Sequence, residues 1–313
     1  MQISGTGTFN YCNYVASRGF ILLPIVLRFF LTIFFAILGL AQLGAQTTPP
    51  IRIVASFTIP HEWCQVAVGQ SLNVTCLVPE KSELHGFQLS AKDAQSLDRA
   101  SLIIGMSPDL EPWLAAWVKA NHREAKAIWL SPASPSADPH RWTDPQEALK
   151  MLEALHLALV GRLPPGVASP QTYERQVAEM KAVDQELRQL FGPLPEDART
   201  MITQHPNLSW FAKRYGLRIA DTILASGSAE AADPSARHYS NLLTQIRTQQ
   251  VRVIITDEGQ NEALARRLAK DAGIPAPLAL SFEYLEPRGQ EGDTWASMMR
   301  RNARRLHAAL MTR

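Results

Sequence analysis

The sequence predicts an α/β protein of two lobes, each a parallel-rich sheet flanked by helices, joined by one long rigid linking helix. Three observations carry that expectation. Short β-rich runs alternate with helical stretches of about ten residues in the first half, the pattern of βαβ units. The alternation resumes in the second half, and a single long amphipathic stretch bounded by Pro and Gly separates the two. At 313 residues the chain also exceeds one ordinary compact domain.

The first half opens with the β-rich run Ile51 to Phe57, followed by a helix-compatible segment containing Pro60. Leu72 to Val78, Ser101 to Gly105 and Ala125 to Leu130 read as further strands, with helices over Ala91 to Arg99 and Pro112 to Asn121. Asp144 as N-cap and Pro145 at the first helical position start another helix that reaches Arg162. Leu163-Pro-Pro-Gly166 stops it.

The long stretch runs from Ser169-Pro170 to Leu190. Tyr173, Val177, Met180, Val183, Leu187 and Leu190 recur three or four apart, so they share one helical face. Gly192-Pro193 ends it. Beyond it, Thr200 to Thr203, Arg218 to Leu224, Val251 to Thr256 and Leu278 to Leu280 read as strands. Leu208 to Tyr215, Ser235 to Gln249, Glu262 to Ala272 and Thr294 to Leu310 read as helices. The expected divisions are a leading segment 1–45, a first lobe 46–165, a linking helix 166–192 and a second lobe 193–313.

The leading segment differs in kind. It holds Arg18 and Arg28, no acidic residue, the apolar run Phe29 to Leu40, and then small residues at Gly39, Ala41, Gly44 and Ala45. That order is the one of a secretory signal peptide, with cleavage after Ala41 or Ala45. An uncleaved N-terminal membrane anchor is the alternative, with Arg28 interrupting its span. Either places the rest of the chain in the periplasm or cell envelope.

Without those two arginines, lysine and arginine number 29, equal to the 29 acidic residues. A formally neutral protein has no broad basic field, which excludes nucleic acid as a partner. Export permits disulfides. Cys12 leaves with the signal, so Cys64 and Cys76 are the expected pair, with two buried free thiols as the alternative.

The strongest local signal is Asp138-Pro-His140-Arg-Trp142-Thr-Asp144-Pro145. A histidine between two prolines, directly before a capped helix, has a fixed backbone. Asp138 and Asp144 are placed to orient its ring or cap the helix. His85 follows the second strand, and His205 follows the strand that opens the second lobe. These are carboxyl ends of strands, where ligand sites of α/β sheets gather. Three imidazoles there match the nitrogen-rich preference of zinc. A lone loop histidine is more often a hydrogen-bonding surface residue. The shared topological position argues against that for these three. His61, after the first strand, is the remaining one near the expected cleft. His156 and His307 lie on helix faces, and His122 and His238 read as surface residues.

The sequence resembles the zinc- and manganese-binding solute receptors of ABC importers, the ZnuA-like family. The resemblance rests on Val54-Ala-Ser-Phe57, the His85 loop, Gly105 followed by Leu110-Glu-Pro-Trp113, and the Asp138 to Pro145 element. His205 with Trp210 to Leu217 and the ending Thr294 to Asn302 complete it. It implies a C-clamp of two lobes with a divalent metal ion held between them, zinc before manganese or iron. The ion would be cargo for a membrane permease of an ABC importer, carried by a monomer with no enzymatic activity. It also implies His85, His140 and His205 as ligands, histidine at 205 favouring zinc.

The fourth ligand is open. Glu283 stands where the family often has Asp; Asp257, Glu258 and solvent are the other candidates, with His61 as an alternative. The long histidine-rich loop of many zinc receptors is missing between Trp117 and Asp138, where only His122 and Glu124 stand. Two rivals remain: a secreted zinc hydrolase, which lacks a His-Glu-x-x-His motif here, and an exported scaffold with a structural metal.

Overall fold

The computed structural model describes residues 50–133, 138–225 and 234–312. The expected signal or anchor at 1–45 lies outside the described residues. Among the described residues no helix is long and apolar enough to cross a membrane.

Two four-stranded sheets, all parallel, organise the chain. The first contains β1 (Ile53–Phe57), β2 (Val74–Val78), β3 (Leu102–Gly105) and β4 (Ala127–Trp129), in the order β2-β1-β3-β4. The second contains β5 (Thr200–Thr203), β6 (Arg218–Thr222), β7 (Val253–Asp257) and β8 (Leu278–Leu280), in the order β6-β5-β7-β8. Both therefore have the same winding.

The described helices are α1 (Thr58–Val68), α2 (Ala91–Asp98), α3 (Pro112–Ala120), α4 (Pro145–Arg162), α5 (Pro170–Phe191), α6 (Ser209–Tyr215), α7 (Ala236–Thr248), α8 (Ala263–Ala272) and α9 (Trp295–Met311). Their starts follow local chemistry. Ser90 and Asp93 form a reciprocal capping box on α2, Asp144 accepts from Gln146 N–H at α4, and Thr294 caps α9. Gly216, with φ of 68°, ends α6 in the left-handed region that side chains with a Cβ avoid. Gly105 is required for a different reason: a Cβ there would meet the Trp129 ring at 2.3 Å.

Strand alternation sends neighbouring residues to opposite faces, and here both faces are covered. In the first sheet Val54 and Ile103 pack outward on Leu97 of α2 and Leu114 of α3. In the second, Ile202 and Ile254 pack on Leu242 of α7 and Leu268 of α8. The opposite faces share one continuous apolar cluster, from Ile53 and Ile104 through Leu155 of α4 and Met180 and Leu187 of α5 to Met201, Val253 and Leu306 of α9. Burial on both faces explains why the strands read as nearly unbroken apolar runs.

Helix α5 is thus not a free-standing strut. It lies against α4 and α9, and its Asp184 accepts from Arg214 Nε on α6 at 2.9 Å. Ile51–Arg313 form one compact unit that contains both sheets.

The expected Cys64–Cys76 bridge is not formed; both thiols are free. Cys64 is fully buried on the core side of α1. Cys76 turns along its own strand, donating to the Val78 carbonyl oxygen at 3.2 Å. Burial pushes both thiols up to about 12. Alkylation near neutral pH is therefore expected to spare both in the folded protein and modify both after denaturation. A disulfide-linked peptide in a non-reduced digest would contradict this.

Candidate metal centre

Parallel sheets send all their strand ends one way, and the loops at those ends carry the polar residues in question. His85 lies in the loop after β2, and His140 in the segment between β4 and α4. His205 follows β5, and Glu283 follows β8. These four side chains meet, with one donor atom of each within 4.8 Å of the others.

The three imidazole rings form a nearly equilateral triangle, with centroids 5.1, 5.4 and 5.5 Å apart. Their Nε2 atoms face inward. His140 Nε2 lies 3.3 Å from His85 Nε2. Glu283 Oε1 lies 2.8 Å from His205 Nε2, 3.1 Å from His140 Nε2 and 3.5 Å from His85 Nε2.

Two of the rings are braced from behind. His140 Nδ1–H donates to Asp138 Oδ1 at 2.9 Å, and the His140 backbone N–H reaches the same oxygen at 2.9 Å. His205 Nδ1–H donates to Asp257 Oδ2 at 2.6 Å, while Asn207 Nδ2 holds the other oxygen of Asp257 at 2.7 Å. A carboxylate at Nδ1 keeps a proton on that nitrogen and aims Nε2 at the cluster. There Nε2 donates to Glu283 when protonated and offers a lone pair once that proton leaves.

The electrostatics follow from this packing. Burial disfavours the charged forms of His140 and His205, but the facing carboxylates outweigh it. Asp138 and Glu283 raise His140 above the ordinary imidazole value. Asp257 and Glu283 raise His205 well above it. Burial alone would raise Glu283, yet the charges of His205 and His85 and the bonds from His140 and His205 hold it well below the usual carboxylate range. Asp138 shows the same balance, with burial overcome by its contact with His140. Three carboxylates surround three imidazoles, and the polar contacts of Glu283 in the cluster are all to those rings. Such a centre is stabilised by positive charge, from protons or from a cation.

Ties between distant segments fix the geometry. Trp142 Nε1 donates to the Phe282 carbonyl at 2.8 Å, and Trp295 Nε1 donates to the Trp142 carbonyl at 3.0 Å. Leu285 N–H donates to Thr58 Oγ1 at 2.9 Å. Glu283 is therefore held on both sides by residues of the first half. Asp138 Oδ2 accepts Ser209 N–H at 2.8 Å, and the Asp138 carbonyl accepts Trp210 Nε1 at 3.0 Å, joining the His140 segment to the start of α6.

The other expected site residues lie elsewhere. Asp144 does not touch the His140 ring; it caps α4 and faces Arg214 at 3.5 Å. Glu258 turns away from the cluster to pair with Arg301 at 3.1 Å. His61 Nε2–H donates to the Val74 carbonyl at 3.1 Å, joining α1 to β2, and burial lowers its pKa. His156 stacks on Tyr173, and His238 donates to the Thr222 carbonyl.

The contacts that Asn207 and Trp113 make went unread in the sequence. Asn207 had a usable signal, two residues past His205 in the same loop. Trp113 closes one of the quoted motifs, but nothing there pointed to its partner, because the Leu84 carbonyl at 3.0 Å is a backbone group far along the chain.

Two identically wound α/β sheets with a shared imidazole–carboxylate centre at their strand ends define a two-sheet protein whose polar site is built by both halves. The chain belongs to the family described as "Zinc-uptake complex component A periplasmic" (ZnuA), which matches residues 53–309. It is 24% identical over 288 residues to the zinc-binding lipoprotein AdcA of Streptococcus pneumoniae, a match covering 83% of this chain and 56% of AdcA. The chain thus spans about half the length of that relative. It is 22% identical to the manganese ABC transporter substrate-binding lipoprotein scaA of Streptococcus gordonii, covering 90% and 98% of the two chains. The fold is shared with the periplasmic zinc binding protein TroA from Treponema pallidum, with a TM-score of 0.75, 19% identity, and 84% and 99% of the chains covered.

Proposed function

We propose that the chain is the extracytoplasmic substrate-binding protein of a metal ABC importer. It captures one divalent transition-metal ion, zinc, with His85, His140, His205 and Glu283, and delivers it to the membrane permease. The carrying observation is the convergence of these four donors within 4.8 Å. Donors 2.0–2.1 Å from a tetrahedral ion lie about 3.3–3.4 Å apart. The separations of 3.1, 3.3 and 3.5 Å among His85, His140 and Glu283 bracket that value, and 2.8 Å to His205 needs only a small opening.

Three nitrogens and one oxygen suit a borderline ion such as zinc, whereas manganese prefers an oxygen-rich set. Zinc is also the ion in the names of AdcA and TroA. Manganese, the ion in the name of scaA, is the second reading. A catalytic zinc keeps one position open for water. In this reading Glu283 takes the fourth position, which supports capture without chemistry.

The lobes are taken as 46–165 and 193–313, with a monomer docking on the permease after removal of the leading segment. The packing of α5 along α4 and α9 supports a small adjustment between them rather than a wide hinge.

Native purification with elemental analysis, then competitive titration of zinc against manganese, tests the reading. One zinc per chain, held more tightly than manganese, is expected. A preference for manganese would move the assignment to that ion, and a chain that takes up neither would end the receptor reading.

A further inference from the structure

The four donors are not held alike. His140 and His205 are almost fully buried, each with a carboxylate on Nδ1, and Glu283 is flanked by cross-chain hydrogen bonds at Phe282 and Leu285. Among the described residues the polar contacts of His85 run only to other members of the cluster, through Nε2 to His140 and Glu283. Its side chain keeps 17% of its exposure.

The loop that carries it, between β2 and α2, is largely exposed or half-buried. Leu84 is its one buried residue, and the Leu84 carbonyl accepts from Trp113 Nε1 on α3. Phe87 packs edge-on against the same indole, at 5.0 Å between centroids. A second tie, Lys81 to Glu286 at 3.6 Å, uses a lysine that is 58% exposed, where solvent screens the attraction. An open groove of about 970 Å³ borders the start of the loop at Glu80 and the far wall at Leu285 and Glu286.

We propose that His85 is the exchanging ligand of the site: the ion enters and leaves by way of His85, and Trp113 is the positioning residue that sets how fast. The inference rests on the metal-receptor reading. The His85 imidazole has no partner on Nδ1 among the described residues, and its loop is anchored in the apolar core at Leu84 and Phe87 but otherwise largely open to solvent. Such a donor is the one whose detachment disturbs least, leaving His140, His205 and Glu283 in place. Trp113 touches no ion; it acts by holding the backbone one residue before His85.

Zinc release to an excess of chelator, followed by stopped flow, tests this alongside equilibrium affinity for the wild type, His85→Ala, Trp113→Phe and His140→Ala. His85→Ala is expected to keep one zinc per chain at saturating zinc and to release it faster. Its affinity should fall about tenfold to a hundredfold, less than the two to three decades of an equal donor share because its ring is not pre-oriented. Trp113→Phe retains an aromatic ring for Phe87 but loses the N–H to Leu84. Its release rate should rise severalfold with an association rate close to wild type. The visible spectrum of its cobalt form should still report four donors, which a merely unfolded or damaged site would not give.

A His85→Ala chain as empty as His140→Ala, or a Trp113→Phe chain releasing zinc at the wild-type rate, would overturn the proposal. A wild type that binds neither zinc nor cobalt would instead sink the receptor reading, and this inference with it.

Discussion

Replacing His140 with Ala is expected to weaken zinc binding by about a hundredfold to a thousandfold while leaving the metal-free chain folded. Four-donor zinc sites hold their ion with apparent free energies of about 10–16 kcal/mol near pH 7. An equal share per donor is about 2.5–4 kcal/mol, or two to three decades in affinity at about 1.4 kcal/mol per decade. His140 should reach at least this share, because its ring is pre-oriented by Asp138 and buried at 1% exposure. The fold should survive, since Asp138 keeps Ser209 N–H and Trp210 Nε1 as partners and Trp142 keeps its bond to Phe282. His205→Ala, braced by Asp257, should lose a comparable amount. Competition with a chromophoric zinc chelator measures the loss, and thermal unfolding without metal checks the fold. Affinities within threefold of wild type would contradict the assignment of these ligands.

Zinc affinity is expected to fall by up to about a hundredfold per pH unit on acidification, beginning above pH 6.5. The sign follows from the directions of the shifts. His140 is raised above the ordinary imidazole value by Asp138 and Glu283, and His205 well above it by Asp257 and Glu283, both against the effect of burial. Below those raised values the metal-free protein holds a proton on each ring that zinc must displace. Each displaced proton adds one decade per pH unit, so two rings give about two decades. Glu283 adds nothing in this window, because its neighbouring imidazoles hold it well below the usual carboxylate range and it stays ionised. Calorimetric titration in two buffers of different ionisation enthalpy should register more protons released per zinc at about pH 6 than at about pH 8. A flat affinity profile from about pH 8 to 5.5 would contradict the assignment.

The carboxylates behind His140 and His205 differ in what else they hold. Asp138 serves both halves at once, one oxygen on the His140 ring and the other on Ser209 N–H of α6. A loss of affinity in an Asp138 variant would mix ring orientation with the tie between segments. Asp257 is more selective, since its partners His205 and Asn207 belong to one loop.

Much of the architecture was legible in the sequence. Helix ends came within one or two residues because caps and stops are local: Ser90, Asp144-Pro145, Ser169-Pro170 and Gly216 act on backbone groups a few residues away. Several strands were read one or two residues too long, as at Ile51 and Leu72, because apolar character continues past the last ladder partner. Thr200–Thr203 and Leu278–Leu280 were read with the observed bounds. The triangle of His85, His140 and His205 was legible because all three follow parallel strands, and parallel strands end on the same side. The bridge expected between Cys64 and Cys76 failed for a physical reason. An even number of cysteines says nothing of where each thiol points, and the Cys76 thiol satisfies itself on its own strand.

The order of strands and helices, the donor types and the histidine positions are determined by the sequence alone, because periodicity, capping and turn chemistry act over a few residues. Which carboxylate faces the rings was decided only in three dimensions. Glu283, Asp257 and Glu258 are alike as a string. Glu283 turns inward because Trp142 and Thr58, more than a hundred residues away, hold the backbone on either side of it. Asp257 is left behind His205, and Glu258 is drawn off by Arg301. Side-chain direction in a loop follows from long-range packing and hydrogen bonds, which leave no local pattern to read.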